Sequence, residues 1–149
     1  MNEKKIEKLT KGEIAEHSLI TTYKFRIWRM FTKALKVYDL LHENDKVCVC
    51  ISGGKDSMLM GLLFKHLQQY SDFPFEVRYL VMNPGYNDIN LQIIKNNLET
   101  LKIPATIVNT DIFDIANSTD KKPCYLCAKM SRGALYRIAK EWRCHKIAL

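Results

Sequence analysis

Two short stretches of this 149-residue chain gather the side chains that can do chemistry. Ser52-Gly53-Gly54-Lys55-Asp56-Ser57 sets two hydroxyls, a lysine and an aspartate around a pair of glycines. Such a loop suits an anion, because glycine lets the backbone approach closely and take angles a Cβ forbids. Lys55 adds a mobile positive charge. Asp56 would repel a bound phosphate unless a cation lies between them, so it points to Mg²⁺ shared by one carboxylate and phosphate oxygens. The plainer alternative is that Asp56 caps a helix and the glycines make a tight turn. The second stretch holds Cys124 and Cys127. Two thiols three residues apart can share a metal or form one disulfide. A helix start there, with Lys129 and Arg132 nearby, would favour thiolate. A redox pair, part of a zinc site, ligands of an iron–sulfur cluster, a sulfur-carrying thiol and simple packing are all open readings.

Elements must position these residues. Val47-Cys48-Val49-Cys50-Ile51 alternates β-branched residues with cysteines and reads as a buried strand. After the Ser52–Ser57 loop, Met58-Leu59-Met60-Gly61-Leu62-Leu63-Phe64 begins a helix pattern that reaches about Tyr70. Strand, glycine turn and helix is the geometry that cradles phosphate, since a helix start offers unpaired N–H groups and the positive end of its dipole. It is not a Walker A loop, which needs four residues between its first glycine and its Gly-Lys. A second strand is expected over Phe75–Met82, a loop over Asn83–Asn87 and an amphipathic helix over Asp88–Leu101. Ala105–Asn109 reads as a third strand, Ile112–Ala116 as a short helix, Cys127–Trp142 as a longer one, and Lys146 begins a fourth strand. Ahead of them, Gly12–Leu41 has helical spacing with one break near Thr21-Thr22.

Strands alternating with helices predict an α/β fold with a doubly wound parallel sheet and right-handed crossovers. Its ligand belongs beyond the carboxyl ends of the strands. That rule places Ser52–Ser57, Asn83–Tyr86 and Asn109–Asp111 along one edge. Cys48 and Cys50 share one face of their strand and are expected in the core. Cys144 reads as an ordinary thiol, and His17, His42, His66 and His145 show no ligand spacing.

Ser52–Ser57 resembles the S-G-G-x-D-S motif of the PP-loop, or N-type, ATP pyrophosphatases. Cys124-Tyr125-Leu126-Cys127, then a basic helix with Arg132-Gly133-Ala134-Leu135-Tyr136, is similar to the tRNA 2-thiocytidine biosynthesis proteins of that superfamily. The likeness runs from roughly Asp45 to Leu149. It implies an adenine nucleotide alpha hydrolase-like sheet of order 3-2-1-4 over residues 43–149, after a helical extension over 1–42. It implies ATP and Mg²⁺ at Ser52, Gly53, Gly54, Lys55, Asp56 and Ser57, with Lys55 and Asp56 catalytic and the backbone at Met82 and Asn83 meeting the adenine. Cys124 and Cys127 would be two of three cysteines holding a [4Fe–4S] cluster. The implied reaction adenylates the C2 oxygen of an anticodon-loop cytidine in tRNA and replaces it with sulfur, drawn from a donor such as a cysteine desulfurase. The family continues beyond the fourth strand with a G-H-H-x-D-D segment and the third cysteine, so the chain is expected to match an N-terminal part. A wobble-uridine thiolase, a lysidine synthetase and a non-catalytic nucleotide-binding module are the alternatives. The first usually carries an N-terminal zinc ribbon, which is absent here, and the second lacks the paired cysteines.

Composition agrees with a nucleic-acid partner. The net charge is +7, from 23 Lys and Arg against 16 Asp and Glu, which suits a polyanion. Lys24, Arg26, Arg29, Lys33 and Lys36 form a basic run without an acid. It could track a phosphate backbone or simply be a solvated helix face. No apolar run approaches the roughly 18 residues of a membrane span, and no signal peptide precedes the first helix, so the cytoplasm is expected. Five cysteines, an odd number, argue against a disulfide scaffold. An open edge on the fourth strand could pair with a second copy.

Overall fold

The computed structural model describes residues 9–118 and 123–149. The chain opens with α1 (Lys11–Ile20), whose start is fixed by reciprocal capping. Thr10 Oγ1 accepts from the Glu13 N–H at 3.3 Å, and Glu13 Oε2 accepts from the Thr10 N–H at 2.8 Å. After the break at Thr21, a π-helical turn (Lys24–Trp28) leads into α2 (Arg29–Val37). The sequence showed the interruption but not the wide turn, because spacing of apolar residues does not distinguish the two helix types.

Then come β1 (Lys46–Cys50), α3 (Lys55–Tyr70), β2 (Glu76–Asn83), α4 (Asp88–Thr100) and β3 (Ala105–Asn109). The chain closes with α5 (Ile112–Asn117), α6 (Pro123–Glu141) and β4 (Lys146–Ala148). The sheet is parallel throughout, in the order β3-β2-β1-β4, as the resemblance implied. Helix α6 begins earlier than apolar spacing suggested, at Pro123. A proline fits there because the first turn of a helix needs no N–H from it.

β1 lies at the centre and is buried from Val47 to Cys50. One face of the sheet, with Val47, Val49, Ile51, Tyr79 and Val81, packs on Met58 and Phe64 of α3 and on Ile94 and Leu98 of α4. The other, with Cys48, Cys50 and Leu80, packs on Ile138 and Ala139 of α6. Val49, Leu80 and Val81 are fully buried, and each such side chain contributes about 1.5–3 kcal/mol. Cys48 and Cys50 are core residues, as expected, with Cys144 packed against them. The Cys48 thiol is pushed up by its hydrogen bond to Cys50 and by burial, so it stays protonated.

The N-terminal helices are bound to this sheet through α3. Leu19 packs on Leu62 and Leu63, and Gly12 meets the end of α4 so closely that a Cβ would collide with the Thr100 carbonyl oxygen. Glu16 reaches α3 with both oxygens, to Lys65 Nζ at 3.0 Å and to His66 Nδ1 at 3.0 Å. His66 is thus a buried packing residue with a charged neighbour. No described helix is long and apolar enough to cross a membrane.

Candidate active site

The loop after β1 carries the chemistry. Ile51 makes the last bond to the neighbouring strand, its N–H donating to the Leu80 carbonyl at 2.8 Å. The chain then turns at Gly53, whose φ is +95°. An added Cβ there would sit 2.7 Å from the Ile94 side chain, so both backbone angle and space require glycine. Ser57 closes the loop. Its Oγ accepts from the Ser52 N–H at 3.1 Å and donates to the Gly54 carbonyl at 2.9 Å.

Helix α3 starts at once, with Gly54 as its N-cap and no capping side chain accepting from its first N–H groups. The first N–H groups of this 16-residue helix therefore face outward with the positive end of its dipole. Lys55 and Asp56 stand beside them, 90% and 89% exposed, with Nζ and Oδ1 3.3 Å apart. This is an open cradle with one cation and one carboxylate at its rim.

The end of β2 forms the next wall. Leu80 bonds towards β1 and Asn83 towards β3. Alternate residues of a strand face the same neighbour, so the Met82 peptide faces the β1 side, past the last ladder bond. The Asn83 carbonyl is already taken by the Thr110 N–H at 2.8 Å and its hydroxyl at 3.3 Å. Of the two peptides expected to meet a ligand, that of Met82 faces the β1 side and that of Asn83 the β3 side. Asn83 instead acts through its side chain. The amide is buried, donates to Asn109 Oδ1 at 3.0 Å and accepts from the N–H groups of Gly85 and Tyr86 at 3.1 and 2.8 Å. That shapes the Asn83-Pro84-Gly85-Tyr86 turn, a role that the Asn-Pro-Gly signal carries in the sequence.

Tyr86 packs against the loop. Its hydroxyl donates to the Ser52 carbonyl at 3.3 Å, and its ring packs edge-on to Phe113 at 5.8 Å. Burial pushes the Tyr86 phenol up, and the nearby Cys127 adds to the rise. Cys127 therefore lies within electrostatic reach of a residue that touches the Ser52 loop. Cys124 is exposed and Cys127 half-buried, both in the first turn of α6. Among the described residues, no group of three or more His, Cys, Asp or Glu is placed to hold a metal. Cys48, Cys50 and Cys144 are packed with Ile138 and Ala139, under the last turns of α6. The described residues thus fit two ligands of a cluster, and a complete set needs a further donor.

The five cations of the basic run at Lys24–Lys36 are all exposed. Lys36 borders a groove with Tyr70, Ser71 and Asp72, at the end of α3 about 24 Å from its start.

No protein-family model matches the chain. Among curated proteins, it is 33% identical over 127 residues to the tRNA-cytidine(32) 2-sulfurtransferase of Acaryochloris marina, covering 83% of this chain and 45% of that protein. The enzyme of the same name from Bordetella avium is 36% identical, with 83% and 40% covered. The chain is similar in sequence to these sulfurtransferases. It spans less than half the length of either. Among solved structures, the U34-tRNA thiolase NcsA from Methanococcus maripaludis with its [4Fe-4S] cluster aligns with a TM-score of 0.61 at 25% identity, over 80% of this chain and 42% of that one.

Proposed function

We propose that this chain is a PP-loop protein and takes part in ATP-dependent thiolation of tRNA, with an anticodon-loop cytidine, position 32 in its relatives' names, as the target. The observation that carries the reading is the place of the loop. The phosphate-type loop stands at the carboxyl edge of the sheet, steadied by Tyr86, in a relative of the sulfurtransferases that also carries the Cys124 and Cys127 pair.

The residues divide the work as follows. The C2 oxygen of the cytidine attacks the α-phosphorus of ATP, and pyrophosphate leaves. The N–H groups at the start of α3, with Lys55, receive the negative charge of the departing pyrophosphate. Asp56 would hold Mg²⁺ on the phosphates. The Met82 peptide, facing the β1 side of the strand end, would pair with the adenine. Sulfide then attacks C2 and AMP departs with the former C2 oxygen, a far better leaving group than oxide. Cys124 and Cys127 would hold two positions of a [4Fe–4S] cluster, which when bound offers iron on which to present sulfide. The sulfur itself comes from a donor such as a cysteine desulfurase. A tRNA substrate supports a cytoplasmic location for this work. In the described sheet β4 is an edge strand, and an edge strand can pair with a second copy.

The test is to incubate the full-length protein with α-labelled ATP, Mg²⁺, bulk tRNA and a sulfur source without oxygen. AMP forming only with tRNA is the expected result. ADP, or AMP that ignores tRNA, overturns the proposal. A second reading, thiolation of the wobble uridine, draws on the likeness to the U34 thiolase. Nucleoside mass separates them, since one gives 2-thiocytidine and the other 2-thiouridine.

A further inference from the structure

Helix α6 carries an exposed stripe that the reaction above does not use. Tyr125, Lys129, Arg132, Tyr136 and Lys140 are all exposed and follow one another at steps of four, three, four and four residues. At 3.6 residues per turn, they fall within one narrow arc of the helix. The helix contains a single acid, Glu141, and that one is beside Arg137 at 3.9 Å. Tyr125 and Tyr136 are 67% and 50% exposed, a poor place for large rings unless something covers them. They stand about 16 Å apart along the axis, with Lys129 and Arg132 between them.

Gly133 is a second and independent observation. It lies inside α6, is exposed, and a Cβ there would meet nothing within 4 Å. No packing requires it, and glycine weakens a helix interior relative to alanine. Its bareness leaves a flat approach to the helix backbone beside the cations.

We infer that this face of α6 is a track for single-stranded RNA, with phosphates on Lys129, Arg132 and Lys140, bases stacked on Tyr125 and Tyr136, and the strand passing close over Gly133. Aromatic rings alternating with cations are what an unpaired strand can use, since it exposes base faces and phosphates together. The track begins at the turn that bears Cys124 and Cys127, so it leads a loop towards the chemistry. The basic run on α2 has charge but ends far from that edge. The inference rests on the tRNA reading and names the surface that would hold the loop.

The test measures binding of two labelled RNAs to the full-length protein, a hairpin with a seven-nucleotide loop and a fully paired duplex of the same length. Lys129→Glu with Arg132→Glu is expected to weaken loop binding by about tenfold and flatten its salt dependence. Tyr136→Ala should weaken the loop by a similar factor, about tenfold, and leave the duplex unchanged, with Tyr136→Phe restoring it. Gly133→Ala should raise the melting temperature, and Gly133→Leu should weaken the loop without lowering that temperature. Loop affinity that ignores all of these, while Arg29→Glu with Lys33→Glu abolishes it, overturns the α6 track and leaves the thiolation reading standing. Unchanged RNA binding with impaired sulfur delivery from a desulfurase overturns it in favour of a protein partner. No RNA binding by the wild-type protein overturns both.

Discussion

Gly53 is the residue on which the loop depends most. It combines a left-handed φ of +95° with Ile94 2.7 Å from where a Cβ would lie. Gly53→Ala should therefore cost about 1–2 kcal/mol from backbone strain alone, read as a lower urea midpoint, and the loop should lose ATP. Asp56 behaves in the opposite way. Its side chain is 89% exposed, so Asp56→Ala should leave stability within about 0.5 kcal/mol and still abolish AMP formation. Turnover that persists in a folded Asp56→Ala protein removes the role given to that carboxylate. Tyr79 offers a third contrast. It is buried, and its hydroxyl has no hydrogen-bond partner among the described residues. Tyr79→Phe should be neutral or stabilising, because it removes a desolvated polar group that gains nothing. Ser52–Ser57 was legible because its chemistry is local in sequence. The orphaned hydroxyl was not, because an unpaired group is a property of everything around it.

At the level of elements, the strands were legible to within a residue or two. Their β-branched runs end at glycine, proline or asparagine, which break the pattern sharply. What the sequence left out is how the strand ends are locked. Asn83 ties β2 to β3 through Asn109 and holds the Gly85 and Tyr86 amides. Asn83→Leu leaves those two amides unpaired and should cost about 2–4 kcal/mol, while also releasing Tyr86 from the Ser52 carbonyl. A calorimetric scan would show the first effect, and weakened ATP binding the second. The division of labour between Met82 and Asn83 was likewise hidden, since it depends on which neighbour each peptide faces.

Across the whole molecule, charge pairs fasten distant parts of the chain. Burial works against ionising Glu16, but hydrogen bonds from His66 and Lys65 outweigh it and hold the carboxyl below its usual range. Burial also opposes charge on Asp45, and the bonds from Lys146 and His42 again prevail. A depressed folded-state pKa means stability that is present above the unfolded pKa and lost as pH falls through the folded one. The protein should therefore lose stability as pH drops below about 4.5, the ordinary glutamate value. Glu16→Gln should flatten part of that loss and Asp45→Asn another part. An acid profile that neither variant changes would show that these contacts do not fasten the fold. None of this was readable beforehand, because Glu16 meets its partners 49 and 50 residues away.

The cysteines divide in a way that gives the molecule a built-in chemical clock. Cys48 and Cys50 are 0% and 8% exposed, while Cys124 and Cys127 open a helix at the surface. A mild alkylating reagent should reach exposed Cys124 first, half-buried Cys127 next and the strand pair only when the chain unfolds. Peptide mapping over time would then give two separate readings from one sample. Slow labelling of Cys124 and Cys127 would report that something occupies their end of the helix, and slow labelling of Cys48 and Cys50 that the sheet is intact.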